Sequence, residues 1–541
     1  MKRVFVMAFL CWGGMGLLVA QSPDAAAAAR QQSPMPSHDQ GHQTWAATIS
    51  AEDLRNHLSV LASDEFEGRE TGTPGNKMAA QYIAQQFAQF GLPPVVGDDS
   101  YFQAVAFNWS RWRDISIRMG EKKYRHGRDF IAFPTRNAST PLIETEEVVF
   151  LGYGIETEDY NDYEGVDVEN KVLLIYKGEP FDKKGISQIS GTKTASEWTS
   201  DWEKKAEAAY RNGARAILII ENELQKFASR NRSRWFGRQV TLGQTKNPAQ
   251  HYANNLYISS SIAKRLLGDK YKEVIKARKR MQKKGKSKSI RIPVTLKIQL
   301  DKMASTLQGD NVLGYIEGSD PVLKDELVVV TAHYDHLGKR GQDIYNGADD
   351  NGSGTSTVLE VAQALAEAKS QGQGARRSVL CMLVTGEEKG LLGSQFYTER
   401  PIFPLERTIV DINVDMVGRV DEKYADNPEY IYVIGSDRLS TELHEINERM
   451  NTVYTQLTLD YTYNERDDPN RYYYRSDHYN FAEKGIPAIF YFNGTHADYH
   501  RTTDTVEKIN FEKMEKVAQL VFHTAWELAN RDQRIVVDVA E

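Results

Sequence analysis

Residues 378–384, with the sequence SVLCMLV, and residues 327–330, LVVV, are the stretches that decide the fold. Each is a nearly continuous apolar run of strand length, without the alternation typical of a half-exposed strand. Residues 355–368 lie between them and have the apolar periodicity of an amphipathic helix. Further apolar runs follow at 409–414, 430–434 and 486–492. Buried strands separated by helices predict an α/β fold, a mostly parallel central sheet flanked by helices.

Upstream of this pattern the chain changes character twice. Ser50 is placed to cap a helix from Ala51 to Leu61, and a second helical pattern runs from Met78 to Phe90. Residues 141–294 instead combine short strands with many turns, and end in a basic stretch at 276–288 that we interpret as a solvated helix and linker. These changes predict a discontinuous catalytic domain, residues 45–140 and 295–541, with an inserted β-rich domain at 141–294.

Composition limits the class of protein. The 541 residues carry 67 Lys and Arg against 74 Asp and Glu, a net charge of −7, with 40% hydrophobic residues. The length predicts more than one domain and excludes a small disulfide scaffold. The mild acidity gives no attraction to nucleic acid.

The amino terminus has the features of an export signal. Lys2 and Arg3 precede an apolar run that ends at Ala20. We therefore expect a signal peptide at residues 1–20, a flexible leader at 21–44, and a periplasmic or secreted protein with no membrane contact beyond the signal; retention of the signal as an anchor stays open. Cleavage would leave Cys381 as the one cysteine, so no disulfide within the chain is expected.

Acidic and imidazole side chains follow the predicted strands where each one ends. They are His333, Asp335, Asp350, Glu387, Glu388, Asp415 and His500. The carboxyl ends of parallel strands share one edge of a sheet, where so many carboxylates would repel one another unless cations lay among them. Imidazole with carboxylate and no thiolate favours Zn²⁺, with Mn²⁺ or Co²⁺ as alternatives. The surplus of carboxylates predicts two metals about 3.5–4 Å apart.

These residues occur in motifs with a known counterpart. The motifs are HYD at 333–335, GADDNGSG at 347–354, EE at 387–388, NVDM at 413–416, SDH at 476–478 and HRTTDT at 500–505. In this order they resemble the signature of the co-catalytic di-zinc aminopeptidases, a family that also includes glutamate carboxypeptidases and glutaminyl cyclases. The resemblance covers roughly 50–140 and 295–530. Residues 150–154 and 213–214 resemble the protease-associated domain inserted in many of these peptidases.

The resemblance implies a role for each site residue. Asp350 would bridge two Zn²⁺, with His333 and Asp415 completing one site and Glu388 and His500 the other. Glu387 would be the general base, Asp335 would hold the second ring nitrogen of His333, and Tyr473 would support the oxyanion.

Several neighbouring residues receive no direct role in this interpretation. His496 competes with His500 as a ligand, and the sequence favours His500 because Asp504 and Thr505 follow it at the family spacing. His336 and His478 are expected to be structural or supporting, and Asp349 to be a turn or capping residue.

The expected activity is removal of N-terminal residues from peptides with a free N-terminus. A glutaminyl cyclase on the same scaffold is the alternative, and a non-catalytic receptor-like ectodomain is a third reading. Retention of all five ligand positions together with Glu387 argues against the third.

Overall fold

A computed structural model describes residues 42–243, 251–285 and 288–540. The expected signal peptide and most of the expected leader lie outside these residues. The strands are β1 Phe102–Met119, β2 Lys122–Tyr124, β3 Phe130–Ile131, β4 Thr140–Phe150, β5 Val172–Tyr176, β6 Ala216–Glu221, β7 Gln239–Leu242, β8 Asn254–Ser259, β9 Ile290–Ile316, β10 Leu327–His333, β11 Gly338–Arg340, β12 Asp343–Tyr345, β13 Ser378–Val384, β14 Thr408–Val414, β15 Tyr430–Ile434, β16 Thr458–Asp460 and β17 Ala488–Phe492.

The helices cover both faces of the strands. They are His42–Ala46, Ala51–Leu61, Pro74–Gln89, Glu197–Ser200, Trp202–Arg211, Leu224–Arg230, Arg232–Trp235, Ser260–Leu267, Tyr271–Lys284, Gly354–Ser370, Leu392–Glu399, Thr441–Met450, His478–Ala482 and Phe511–Asn530. Within the described ranges, no helix is long and apolar enough to cross a bilayer.

Fifteen of the described strands form one sheet, in the order β16-β15-β17-β14-β10-β13-β9-β4-β5-β6-β8-β3 with β1, β2 and β7 joined beside β9. β13, β10, β14 and β17 run parallel, while β9 and β15 are antiparallel to their neighbours on either side of this group. The prediction of a mostly parallel sheet flanked by helices is confirmed. His333 pairs with Val384, so β10 and β13 end level with each other.

The two largest of the hydrophobic cores among the described residues lie along this sheet. The first is formed by the helices Ala51–Leu61, Pro74–Gln89, Gly354–Ser370 and Phe511–Asn530 against β10, β13 and β14. The second is formed around β4, β5, β6 and β8 and also includes Ile117, Phe130–Phe133 and Leu296–Leu300. The limits of the inserted domain stay a prediction, and its neighbour strands on both sides contribute to its core.

The helix starts follow local sequence. The Ser50 side chain accepts a hydrogen bond from the Asp53 amide, as predicted, and Thr73 caps the helix that begins at Pro74. Order begins earlier than expected, because His42–Ala46 is helical and His42 is buried. Residues 276–284 of the basic stretch form the end of the helix Tyr271–Lys284, which buries Val274, Ala277 and Met281 and leaves its charged face in solvent.

Candidate metal centre

The strand ends deliver the candidate ligands to one edge of the sheet. His333 is the last residue of β10, Asp415 follows β14, and Glu387 and Glu388 form a short turn after β13. Asp350 lies in the turn before the helix Gly354–Ser370, and His500 lies in the loop after β17. The predicted convergence of these groups is therefore present in the structure.

One cluster joins His333, Asp350 and Asp415. The Nε2 atom of His333 lies 3.5 Å from Asp350 Oδ1 and 3.3 Å from Asp415 Oδ1. All three residues are buried, and their donor atoms lie within 4.8 Å of one another. Three donors at this spacing are suited to a single divalent ion.

A second cluster uses the other oxygen of Asp350. The Nε2 atom of His500 lies 3.0 Å from Asp350 Oδ2 and 3.4 Å from Glu388 Oε1. His336 contributes Nδ1 at 2.9 Å from the same Glu388 oxygen. Asp350 thus faces both clusters with different oxygens, which is the geometry required of a bridging carboxylate.

The buried polar atoms test whether this site fits metals. His333 Nε2, Asp415 Oδ1 and Glu388 Oε1 are buried and make no hydrogen bond. Buried polar atoms without partners are costly, and these point into the clusters. The nitrogen and oxygen donors suit Zn²⁺, Mn²⁺ or Co²⁺, so the residues fit the expected pair of metals.

Electrostatics separate the two adjacent glutamates. Burial, together with the charges of Glu388 and Asp415, raises the pKa of Glu387 well above the ordinary value, against the opposing effect of His333. Burial alone would also raise the pKa of Glu388, but His336 and His500 hold it well below the ordinary value. Glu387 lies 3.9 Å from His333 Nε2 and lines the cleft, so it is the carboxylate suited to exchange a proton there.

Asp335 supports the site differently from the prediction. The ring nitrogen Nδ1 of His333 lies 3.0 Å from the main-chain carbonyl of Asp335, while the carboxylate is 3.9 Å away. The carboxylate instead accepts hydrogen bonds from the Glu387 amide at 3.1 Å and from Thr71 Oγ1 at 2.7 Å. The carbonyl therefore fixes the imidazole, and the side chain fixes the turn that carries the glutamates.

Arg69 is a buried residue that the sequence interpretation missed. Its guanidinium donates hydrogen bonds to the carbonyls of Leu61, Tyr334, Asn346 and Gly347. Burial lowers its pKa to about 10, although Asp350 and Asp504 oppose this effect. The loop at 68–75 thus reaches the back of the site and holds the chain on both sides of the metal-facing residues.

The turn before Asp350 is held by other carboxylates. Asp349 accepts hydrogen bonds from the Gly418 amide at 2.7 Å and from His496 Nε2 at 3.1 Å. Asp504 accepts from the amides of Asp349 and Asp350. Asp349 is therefore the turn residue predicted, and His496 serves this turn while His500 faces the ligand carboxylates.

A cleft of about 510 Å³ opens in front of the two clusters. Its wall is mixed: beside the metal-facing residues it includes Arg475, Thr495 and Ser233 of the inserted region, and its aromatic and aliphatic members are Leu391, Met416, Tyr472, Tyr474, Phe490, Phe492 and Tyr499. A cleft of this size admits one side chain of a substrate beside the metal-facing residues.

Tyr473 does not line this cleft. It is 2% exposed and packs against His478 and beneath the Arg438 guanidinium. Residues 472–474 form one 3₁₀ turn, in which consecutive side chains point about 120° apart. The neighbours Tyr472 and Tyr474 therefore face the cleft in place of the residue named from the sequence.

Part of the chain is similar in sequence to a peptidase family and to proteins named as aminopeptidases. The sequence profile of Peptidase family M28 matches residues 311–525. A probable leucine aminopeptidase of Trichophyton verrucosum is 32% identical over 216 residues, which are 39% of this chain and 56% of that protein. Aminopeptidase YwaD of Bacillus subtilis is 28% identical over 247 residues, 44% of this chain and 48% of that protein. The matched region therefore spans about half the length of these curated relatives.

A solved structure extends the likeness in fold to almost the whole chain. The aminopeptidase from Aneurinibacillus sp. strain AM-1 has a TM-score of 0.52 and 20% sequence identity, over 93% of this chain and 99% of that one. At this identity the likeness concerns the fold alone, and it includes the region that contains the second core.

Proposed function

We propose that this chain, whose residues 311–525 match the profile of Peptidase family M28, is an exported zinc aminopeptidase of that family. The proposal rests on the orientation of the Asp350 carboxylate. One of its oxygens faces His333 and Asp415, and the other faces Glu388 and His500. The relatives named as aminopeptidases support peptide substrates.

The chain's own residues divide the work of hydrolysis. His333, Asp415, Asp350, Glu388 and His500 would hold two zinc ions, which when bound supply Lewis acidity and bring the pKa of a water near about 7. Glu387, which lies on the cleft wall 3.9 Å from His333 Nε2, accepts the proton of the attacking water and returns it to the leaving amine. The Asp335 carboxylate keeps Glu387 in position through the Glu387 amide.

The substrate is positioned by the cleft. The aromatic and aliphatic side chains on its wall favour an apolar N-terminal side chain. The resemblance to the di-zinc aminopeptidases implies that the free α-amine of the substrate packs at the metal centre, so peptides with a blocked amine are expected to be poor substrates. The apolar run before residue 21 supports export through a membrane, with the mature chain in the periplasm or outside the cell.

The test compares leucine p-nitroanilide with its N-acetyl form. Wild type supplied with zinc is expected to hydrolyse only the free amine, and Glu387→Gln to lose about 10²–10⁴-fold in kcat while keeping its zinc. Glu399→Gln, an exposed glutamate on the helix Leu392–Glu399, is the matched control and should leave the rate unchanged. Equal rates for wild type and Glu387→Gln would remove Glu387 from its role. N-terminal sequencing of protein recovered from cell fractions tests export.

A further inference from the structure

His336 is a buried imidazole that faces carboxylates. Its side chain is 0% exposed, Nε2 has no hydrogen-bond partner, and Nδ1 lies 2.9 Å from Glu388 Oε1 without the geometry of a hydrogen bond. Leaving a buried polar group unpaired costs about 1–3 kcal/mol, so such a group in a native core calls for a partner of another kind. His333 Nε2, which faces the first cluster, is unpaired in the same way.

The position of Nδ1 identifies that partner. It lies 2.9 Å from Glu388 Oε1 and 3.8 Å from Asp350 Oδ2, and these three donors form a cluster within 4.8 Å of one another. The corresponding distances from His500 Nε2 to the same two oxygens are 3.4 and 3.0 Å. Ligand atoms held 2.0–2.1 Å from one tetrahedral zinc lie about 3.3 Å apart, so both imidazoles flank the same carboxylate pair at ligand spacing.

The backbone around His336 is shaped to admit its ring. A Cβ atom at Gly347 would lie 2.5 Å from His336 Cδ2, so any larger residue there would displace the imidazole. Gly347 also has a φ of +58°, which favours glycine independently. The His336 amide donates to the Arg69 carbonyl at 3.3 Å, which fixes the main chain beneath the ring.

We propose that His336 is a ligand of the metal held by Glu388 and Asp350, in addition to His500. This inference rests on the proposed two-metal function. It gives that site two imidazoles and two carboxylates, whereas the site of His333 and Asp415 has one imidazole. The fully buried His336 anchors the ion from inside, while His500 approaches from a loop with its side chain 36% exposed.

Two consequences distinguish this arrangement from one in which His336 only supports Glu388. Loss of His500 leaves three protein ligands, so the metal is retained at a free zinc concentration that would otherwise empty the site. In addition, three imidazoles are shared by two ions, which predicts about 1.5 imidazoles per zinc in wild type against about 1.0 without the contribution of His336.

The experiment measures zinc content by mass spectrometry after dialysis against buffered Zn²⁺, and imidazole number by zinc K-edge X-ray absorption. Wild type, His336→Ala, His336→Gln and His500→Ala are compared as full chains. We expect two zinc ions and about 1.5 imidazoles per zinc in wild type. His500→Ala and both His336 variants each keep three ligands at the second site, so each should lose one zinc at a higher free zinc concentration than wild type does. After refilling with excess zinc, the two His336 variants should show about 1.0 imidazole per zinc by X-ray absorption.

His523→Ala is the control, since His523 is also a buried imidazole with an unpaired Nδ1 but packs on Tyr454 in the helix Phe511–Asn530. His523→Ala should keep the wild-type number of zinc ions and of imidazoles per zinc. Melting curves of the zinc-free proteins show whether each variant folds, and His336→Gln replaces His336→Ala if the latter does not. Wild type with two zinc ions and about 1.0 imidazole per zinc would overturn the role of His336 as a ligand but leave the proposed function intact. Wild type that binds no zinc would overturn the proposed function as well.

Discussion

Replacement of Arg69 by methionine tests how the amino-terminal loop holds the metal centre. The variant removes the donors to four carbonyls: those of Leu61, Tyr334, Asn346 and Gly347. Hydrogen bonds from a charged donor contribute about 1.5–3 kcal/mol each, so the gross loss is about 6–12 kcal/mol. Burying the guanidinium costs about 3 kcal/mol, from a pKa lowered from 12.5 to about 10, and this cost is relieved in the variant.

The free energy of unfolding is therefore expected to fall by at least about 3 kcal/mol, which agrees with the cost of stranding a buried polar network. The assay is urea unfolding of the zinc-free protein, so that metal binding does not enter the result. Zinc content at fixed free Zn²⁺ is measured separately. It should fall, because the Gly347 carbonyl that Arg69 holds belongs to the turn that carries Asp350.

Arg377→Met is the matched control. Arg377 is equally buried and contacts Glu326 together with the carbonyls of Leu528 and Arg531, at the opposite end of β13 from Glu387. This variant should lose stability but retain both zinc ions. An Arg69→Met protein within about 1 kcal/mol of wild type that binds zinc normally would refute the reasoning.

Three further outcomes are expected. Tyr473→Phe should lower kcat by less than about 3-fold, because the side chain is buried away from the cleft, whereas loss of an oxyanion donor costs about 10²–10³-fold; steady-state kinetics decide between these values. Burial lowers the pKa of Lys205 to about 7, against the opposing charges of Asp162 and Glu179, so between pH 7 and about 10.4 the unfolded chain binds a proton that the folded chain does not. The contribution of Lys205 to the free energy of unfolding should then rise with pH over this window by up to about 5 kcal/mol, and a Lys205→Met variant that keeps the wild-type slope in melting temperature against pH would contradict this. Dialysis against a chelator should abolish hydrolysis and zinc should restore it, and turnover that survives chelation would exclude the metal-dependent account.

The strands and the groups at their ends could be predicted because both depend on local sequence. Continuous apolar runs identify buried strands, and parallel strands bring their carboxyl ends together, so the gathering of His333, Glu388 and Asp415 follows from position alone. Contacts of high sequence separation could not be predicted in this way. Arg69 reaches carbonyls 265 and 278 residues away, and no periodicity signals such contacts.

Side-chain direction at turns is the other feature that the sequence does not determine. Tyr473 and its neighbours have the same residue type, and only the 3₁₀ turn decides which of them face the cleft. His336 follows His333 by three residues, and its ring direction depends on the space left by Gly347. The contact from Asp335 to His333 involves the backbone carbonyl, which the residue type does not encode.

Strand β9 has a mechanical consequence for the whole chain. Its 27 residues pair with β4 at one end, with β1 along the middle and with β13 at the other, so one continuous backbone ladder spans both cores. Because both cores share this strand, unfolding of either core would remove backbone hydrogen bonds from the other. Calorimetry is therefore expected to record a single endotherm, and two separated transitions would show that the two cores unfold independently.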